Sequence, residues 1–259
     1  MTNYLDRDGW KMAYDDTSGP GPVVVFCHAL GADRSMWDAQ MKLVGKERRA
    51  VRFDHRGHGE SGTPGASYTM ADLGGDVLAL ADHLGADRFD FCGISMGGLI
   101  GQWLAVNHPN RIGRLALANT GAKVGTDEGW QQRITAVREG GMDAIADPVV
   151  ERFLSDGWRA AHPEETERAR ETVRSIDPDG YIGCCLAVRG ADFTESASSI
   201  RSRTLLVGGL HDVSTPPEAQ QWLAAAIPDS ELIILDTAHF SNVERPEDFG
   251  SALLRLLSA

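Results

Sequence analysis

Phe91-Cys92-Gly93-Ile94-Ser95-Met96-Gly97-Gly98 reads as the end of a strand, a turn and the start of a helix, with Ser95 at the corner. Gly93 and Gly97 stand two residues to either side of the serine. Such a corner forces the serine backbone into a strained part of φ/ψ space, and side chains at the flanking positions would collide there. The pattern is G-x-S-x-G, that of a nucleophile elbow. Glycines also flank serines in ordinary turns, so the surrounding chain decides between the two readings.

Outward from the corner, strand and helix alternate. Residues 88–93 form the strand that feeds it, residues 95–106 its helix, closed by His108-Pro109, and residues 112–118 the next strand. Upstream, the continuous apolar run 23–27 suits a strand buried on both faces. A helix is expected over 35–43 and a strand over 49–54, ending in the glycine-punctuated loop 54–62. The helical periodicity of 69–84 has Thr69 as N-cap and Gly85 as stop. The rhythm breaks after Asn119: residues 120–196 are mostly helical, with no convincing strand. A strand (203–208), a helix (217–226), a strand (231–236) and an amphipathic helix (246–257) then restore it. The expected class is α/β, with a mostly parallel central sheet, helices on both faces and a helical cap insertion. The core domain would comprise residues 1–120 and 197–259, and the cap residues 121–196.

A chain of 259 residues with 42% hydrophobic and 24% charged content can build one large domain with an insertion, or two small ones. Its net charge of -12 argues against nucleic acid or an anionic membrane as partner. By the same token, an anionic substrate would need a local cationic pocket. No apolar run is long enough to span a bilayer, and the first eight residues lack the regions of a signal peptide. Cys27 and Cys92 lie in strand-like runs, whereas Cys184 and Cys185 are adjacent, where a disulfide would be strained. Their spacing fits no zinc site. Reduced thiols, a cytoplasmic location and no metal or organic cofactor are the expectation.

A serine hydroxyl is a weak nucleophile near neutral pH; it needs a base, and the base needs an orienting group. In elbow enzymes these follow in the order serine, acid, histidine. Asp212 lies just past the strand at 205–209, and His239 just past the strand at 232–235. Both stand at carboxyl ends of strands, as Ser95 does, and a parallel sheet forms its crevice there. Residues 117 and 27 positions apart can therefore converge. Singly, Asp212 could cap the helix after Pro216-Pro217, and His239 could be a loop histidine. All three in order at the right strand ends point to a triad. Oxyanion donors are also required: the N–H of Met96, after the nucleophile, and that of Leu30, in the loop after the first buried strand. Among rival bases, His55 and His58 fall in the 54–62 loop, His28 orders its own loop, and His211 is one position off and faces away. His83 and His108 sit near helix ends, and His162, in the insertion, could face the pocket.

With these residues in view, the chain from about 23 to 257 resembles the α/β-hydrolase superfamily, and within it the 3-oxoadipate enol-lactonase family of bacterial aromatic catabolism. The elbow and helix Phe91 to Leu104 look like that family's. So do Leu117-Ala118-Asn119-Thr120-Gly121-Ala122-Lys123-Val124-Gly125 with Trp130 and Arg133-Ile134 at the cap entry, and Gly180-Tyr181, Cys184, Ala187-Val188-Arg189 and Asp192-Phe193 at its exit. Asp212 before Thr215-Pro216-Pro217, and Ala238-His239-Phe240-Ser241-Asn242-Val243-Glu244, complete the match. The chain departs from the family's Ser-Asn-Ser-Leu-Gly with Cys27-His28-Ala29-Leu30-Gly31, which is nearer to general esterases. The resemblance implies a small anionic enol-lactone opened through an acyl-enzyme, with Arg133 or Arg189 receiving its carboxylate and Trp130 walling the pocket. Such arginines are otherwise solvated, and such a tryptophan otherwise core. Gln102 and Trp103 read as packing. The alternatives are a carboxylesterase, a carbon–carbon bond hydrolase or perhydrolase of the same fold, and a non-catalytic ligand binder, which would not need all three triad members.

Overall fold

The computed structural model describes residues 2–258. Eight strands form one sheet: β1 (Asn3–Arg7), β2 (Trp10–Asp16), β3 (Val23–Cys27), β4 (Arg49–Phe53), β5 (Phe89–Ile94), β6 (Ile112–Ala118), β7 (Thr204–Gly209) and β8 (Ser230–Leu235). Their order is β1-β2-β4-β3-β5-β6-β7-β8. From β4 to β8 every neighbouring pair is parallel, while β2 runs antiparallel to both β1 and β4. Every residue of β3, β5 and β7 is buried, as central strands covered on both faces must be.

The covering helices are α1 (Asp38–Val44), α2 (Met70–His83), α3 (Met96–Asn107), α9 (Pro217–Ala226) and α11 (Pro246–Ser258), with the short α10 (Ser241–Glu244) just before α11. α3 lies on β5, β6 and α2, while α11 lies on β6, β7 and α1. In α11, Phe249, Leu253, Leu256 and Leu257 form the buried stripe, spaced as a helix docking one face requires. Thr69 caps α2 as its sequence predicts: its hydroxyl accepts from the Asp72 N–H, and the Asp72 carboxylate accepts from the Thr69 N–H. Such a reciprocal cap stabilises a helix start by about 1 kcal/mol.

Between β6 and β7 stand α4 (Asp127–Gly140), α5 (Asp143–Phe153), α6 (Asp156–Ala161), α7 (Pro163–Ser175) and α8 (Pro178–Arg189), with no strand among them. α4 packs on α5 and α8, and α5 on α7. This layer is tied to the sheet side at several points. The Phe240 N–H donates to Phe153 O at 2.9 Å, and the Asp177 N–H to Gly57 O at 3.0 Å. At the second junction the backbones of Gly57 and Gly180 nearly touch, and a Cβ built on Gly57 would come within 2.5 Å of the Gly180 Cα.

The sequence reading assigns no strand before Val23, whereas the structure has the β1–β2 hairpin there. Its turn is Asp8-Gly9, and Gly9 has φ +83°. β1 is mostly exposed, which blurs the alternation by which a strand is recognised. The Asp-Gly dipeptide was the legible signal. No helix among the described residues is long and apolar enough to cross a membrane, and all four cysteines are buried and unpaired.

Candidate active site

Ser95 joins β5 to α3 with φ 57° and ψ −114°, a backbone state that costs a non-glycine residue on the order of 1–3 kcal/mol. Neighbours hold it there. The Ser95 N–H donates to Ala118 O at 2.9 Å, and Ser95 O accepts from the Thr120 hydroxyl at 2.9 Å. Gly93 and Gly97 are required by close approach: a Cβ on Gly93 would strike the Gly97 carbonyl, and one on Gly97 the carbonyls of Cys27 and His28. The elbow is thus pressed against the loop after β3.

Asp212, past β7, and His239, past β8, meet there. His239 Nδ1 lies 2.7 Å from Asp212 Oδ2, and both side chains are buried. The carboxylate accepts further bonds from the Thr215 hydroxyl at 2.7 Å, Asn119 Nδ2 at 3.0 Å, and the N–H groups of Ser214 and Thr215 at 2.8 and 2.9 Å. Burial pushes the Asp212 carboxyl up, but His239 and these donors outweigh it and hold the group at about 2. An ionised Asp212 keeps the imidazole proton on Nδ1 and leaves Nε2 bare. The Phe153 ring stacks on the imidazole at 5.7 Å.

Ser95, His239 and Leu30 line one cavity of about 500 Å³, beneath Trp130, Arg133, Val149, Arg152 and Phe153 of the helical layer. The Leu30 N–H has no hydrogen-bond partner among the described residues. Met96 opens α3, so its N–H has no preceding turn to bond to. The Trp130 indole donates to Val124 O at 2.7 Å, and the Arg133 guanidinium lies 4.9 Å over its ring. Burial, and Arg133 facing it, lower the pKa of Arg152. Burial raises that of Tyr181, against the pull of Arg133 and Arg152. No Asp or Glu lines this cavity.

Two expectations are corrected. Arg189 is outside the cavity: it ends α8, donates to Gln131 Oε1 at 3.0 Å, and lines a separate groove with Asp127, Glu128 and Glu139. His162 is exposed, stacks on Trp158 and does not reach the cavity. His211 faces away as expected, paired with Asp236 at 2.8 Å. Asn119 and Arg152 are the residues the sequence reading missed. Asn119 had a signal, because an asparagine closing a strand tolerates left-handed backbone, and its φ is 43°. Arg152 had none, since nothing local separates it from a solvated arginine. No cluster of three or more His, Cys, Asp or Glu able to hold a metal occurs among the described residues.

Residues 22–246 match the family described as the alpha/beta hydrolase fold. The chain belongs to that family, and hydrolase is the class of enzyme that its fold and relatives define. More particularly, it is similar to 3-oxoadipate enol-lactonase 2 of Acinetobacter baylyi, 38% identical over 90% of this chain and 87% of that protein. 3-Oxoadipate enol-lactonase 1 of the same organism is 32% identical over 90% of this chain and 88% of its own. The crystal structure of the enol-lactonase from Burkholderia xenovorans LB400 matches with a TM-score of 0.96 at 36% identity, covering 99% of this chain and all of that one.

Proposed function

We propose that this chain is a serine hydrolase that opens a small carboxylate-bearing enol-lactone, 3-oxoadipate enol-lactone to 3-oxoadipate, in aromatic catabolism. The observation that carries the reading is the composition of one cavity. Ser95 and His239 share it with Arg133 and Arg152, and no acidic side chain lines it. In a chain of net charge -12, two guanidiniums without a carboxylate partner among the described residues are a site for an anion. Residues 121–196 act as a cap that supplies them, over a core of residues 1–120 and 197–259. The buried, unpaired cysteines fit a reducing cytoplasm.

Ser95 Oγ attacks the lactone carbonyl while His239 Nε2 takes its proton, and Asp212 stabilises the imidazolium. The N–H groups of Leu30 and Met96 receive the oxyanion, each worth roughly 3–4 kcal/mol in such sites. Collapse breaks the ring C–O bond and expels an enolate, which takes the proton from His239 and tautomerises to the ketone. Water, deprotonated by His239, attacks the acyl-enzyme, and the second tetrahedral intermediate releases Ser95 and a carboxylate. Arg133 and Arg152 hold the substrate's own carboxylate throughout.

The test follows the loss of enol-lactone absorbance beside hydrolysis of short neutral aryl esters. The lactone is expected to have the higher kcat/KM, with Arg133→Gln and Arg152→Gln raising KM for the lactone alone. Far better turnover of esters would make the chain a carboxylesterase instead. A serine-directed phosphonate that leaves Ser95 unmodified in folded protein would remove every serine-hydrolase reading.

A further inference from the structure

Three buried imidazoles outside the reacting groups surround the loop that carries Leu30. His28 and His55 have ring centroids 4.2 Å apart, and His58 lies 5.5 Å from His28. Burial is the first cause that keeps all three uncharged, so each has one donor and one acceptor nitrogen. Their backbone partners fix which is which. His28 Nδ1 is 2.8 Å from Ala29 O and must donate; its Nε2 accepts from the His55 N–H at 3.0 Å. His55 Nε2 donates to His28 O at 3.1 Å. His58 Nδ1 donates to Arg56 O at 2.9 Å, which leaves its Nε2 to accept the Gly31 N–H at 3.4 Å.

Ala29 C=O and Leu30 N–H belong to one planar trans peptide and point in opposite directions. A side chain that grips the carbonyl end therefore aims the N–H end. The next peptide is gripped at its own N–H, that of Gly31. We propose that His28 and His58 are positioning residues, which clamp the peptides on both sides of Leu30 and so aim its N–H at the oxyanion. The proposal rests on the reading of Leu30 as an oxyanion donor. It explains why two buried histidines that do not line the cavity are held in single tautomers beside it.

The test compares His58→Gln, whose Oε1 can replace the Nε2 acceptor, with His58→Leu, which has none, and His58→Asn, whose oxygen falls short of Gly31. The readouts are kcat and KM for the lactone and affinity for a trifluoromethyl ketone, which forms an oxyanion on Ser95. An oxyanion donor is worth about 10²–10³ in kcat, so a misaimed one should cost about tenfold or more. His58→Leu is expected to lose about that much in both kcat and ketone affinity with KM within about twofold, and His58→Gln to recover to within about threefold of the parent. If His58→Leu does not fold, His58→Gln must still exceed His58→Asn by about tenfold in kcat. Equal losses in the Gln variant and the acceptor-less variants, or losses that follow KM, would overturn the proposal. Phosphonate labelling of Ser95 in the parent separates this from failure of the serine reading: labelled parent with equal variants defeats the clamp alone, and unlabelled parent defeats both.

Discussion

Asn119 donates from Nδ2 to Asp212 Oδ2 at 3.0 Å, while its own carbonyl oxygen accepts the Ser241 hydroxyl at 2.5 Å. The same Nδ2 reaches Ala238 O at 3.3 Å. One side chain at the end of β6 thus ties together the loops after β7 and β8, which carry Asp212 and His239. Asn119→Ala strips a donor from a buried carboxylate and orphans a buried hydroxyl. Stability is expected to fall by about 1–3 kcal/mol in urea unfolding, and kcat by about tenfold. An unchanged variant would refute the bridging role.

Asp212→Asn tests the orienting role proposed for Asp212. The Ser214 and Thr215 N–H groups hold the side-chain oxygen, which turns the new amide toward His239 and forces the proton onto Nε2. Nε2 then cannot accept from Ser95. Expected is a fall in kcat of about 10⁴-fold with an intact near-ultraviolet spectrum; a fall of less than about tenfold would show that His239 does not depend on Asp212.

Stability should drop on mild acidification. His55 and His58 are held at about 3 and about 4, and His28 is also lowered, against about 6.5 for a free imidazole. Burial is the main cause. Arg34 and Arg56 add to it at His28 and His55, while Asp33 and Asp177 pull His58 partly back. Between pH 6.5 and 4 the unfolded chain therefore binds protons that the folded chain refuses. Stability is full above that window and is lost within it, by up to roughly 1.4 kcal/mol per pH unit for each histidine. Asp54, raised to about 6 mainly by burial, works the other way below about pH 6 and offsets the loss from one histidine; Asp212, held at about 2, adds its own loss only below about pH 4. Unfolding midpoints at pH 7 and pH 5 check the sign, and a higher midpoint at pH 5 would contradict it.

Gly57→Ala should loosen the helical layer between β6 and β7 from the sheet side. Gly57 has φ +70°, and the new methyl would meet the Gly180 backbone, which cannot move aside as a side-chain tip could. A loss of about 1–3 kcal/mol is expected. KM should rise as well, because Tyr181, beside the cavity arginines, follows Gly180 on α8. Calorimetry and initial rates read both.

The parallel core was legible because β3 is an unbroken apolar run, strand and helix patterns alternate around it, and glycines punctuate the elbow. Ser95, Asp212 and His239 were legible because each follows the carboxyl end of a strand with a strongly apolar stretch. The β1–β2 hairpin was not, because its outer strand is an exposed edge with little alternation. Arg189 and Arg133 look alike in sequence, both cap arginines among family-like neighbours. Only the folded helices decide that Arg133 stacks on Trp130 over the cavity while Arg189 turns to Gln131. Arg152 becomes visible only when α5 packs beside α4, which brings it to face Arg133, 19 residues away.

β6 pairs with β7, Leu115 beside Thr204 and Ala118 beside Val207, yet five helices separate them in the chain. During synthesis the apolar edge of β6 therefore waits for about 85 residues before its neighbour emerges. At ~5–20 residues per second that is roughly 4–17 s. The nascent chain carries the Ser95 corner without Asp212 and His239, and a naked sheet edge, for that interval. A ribosome-bound intermediate halted before Thr204 should therefore be the species that chaperones hold and that aggregates when they are scarce.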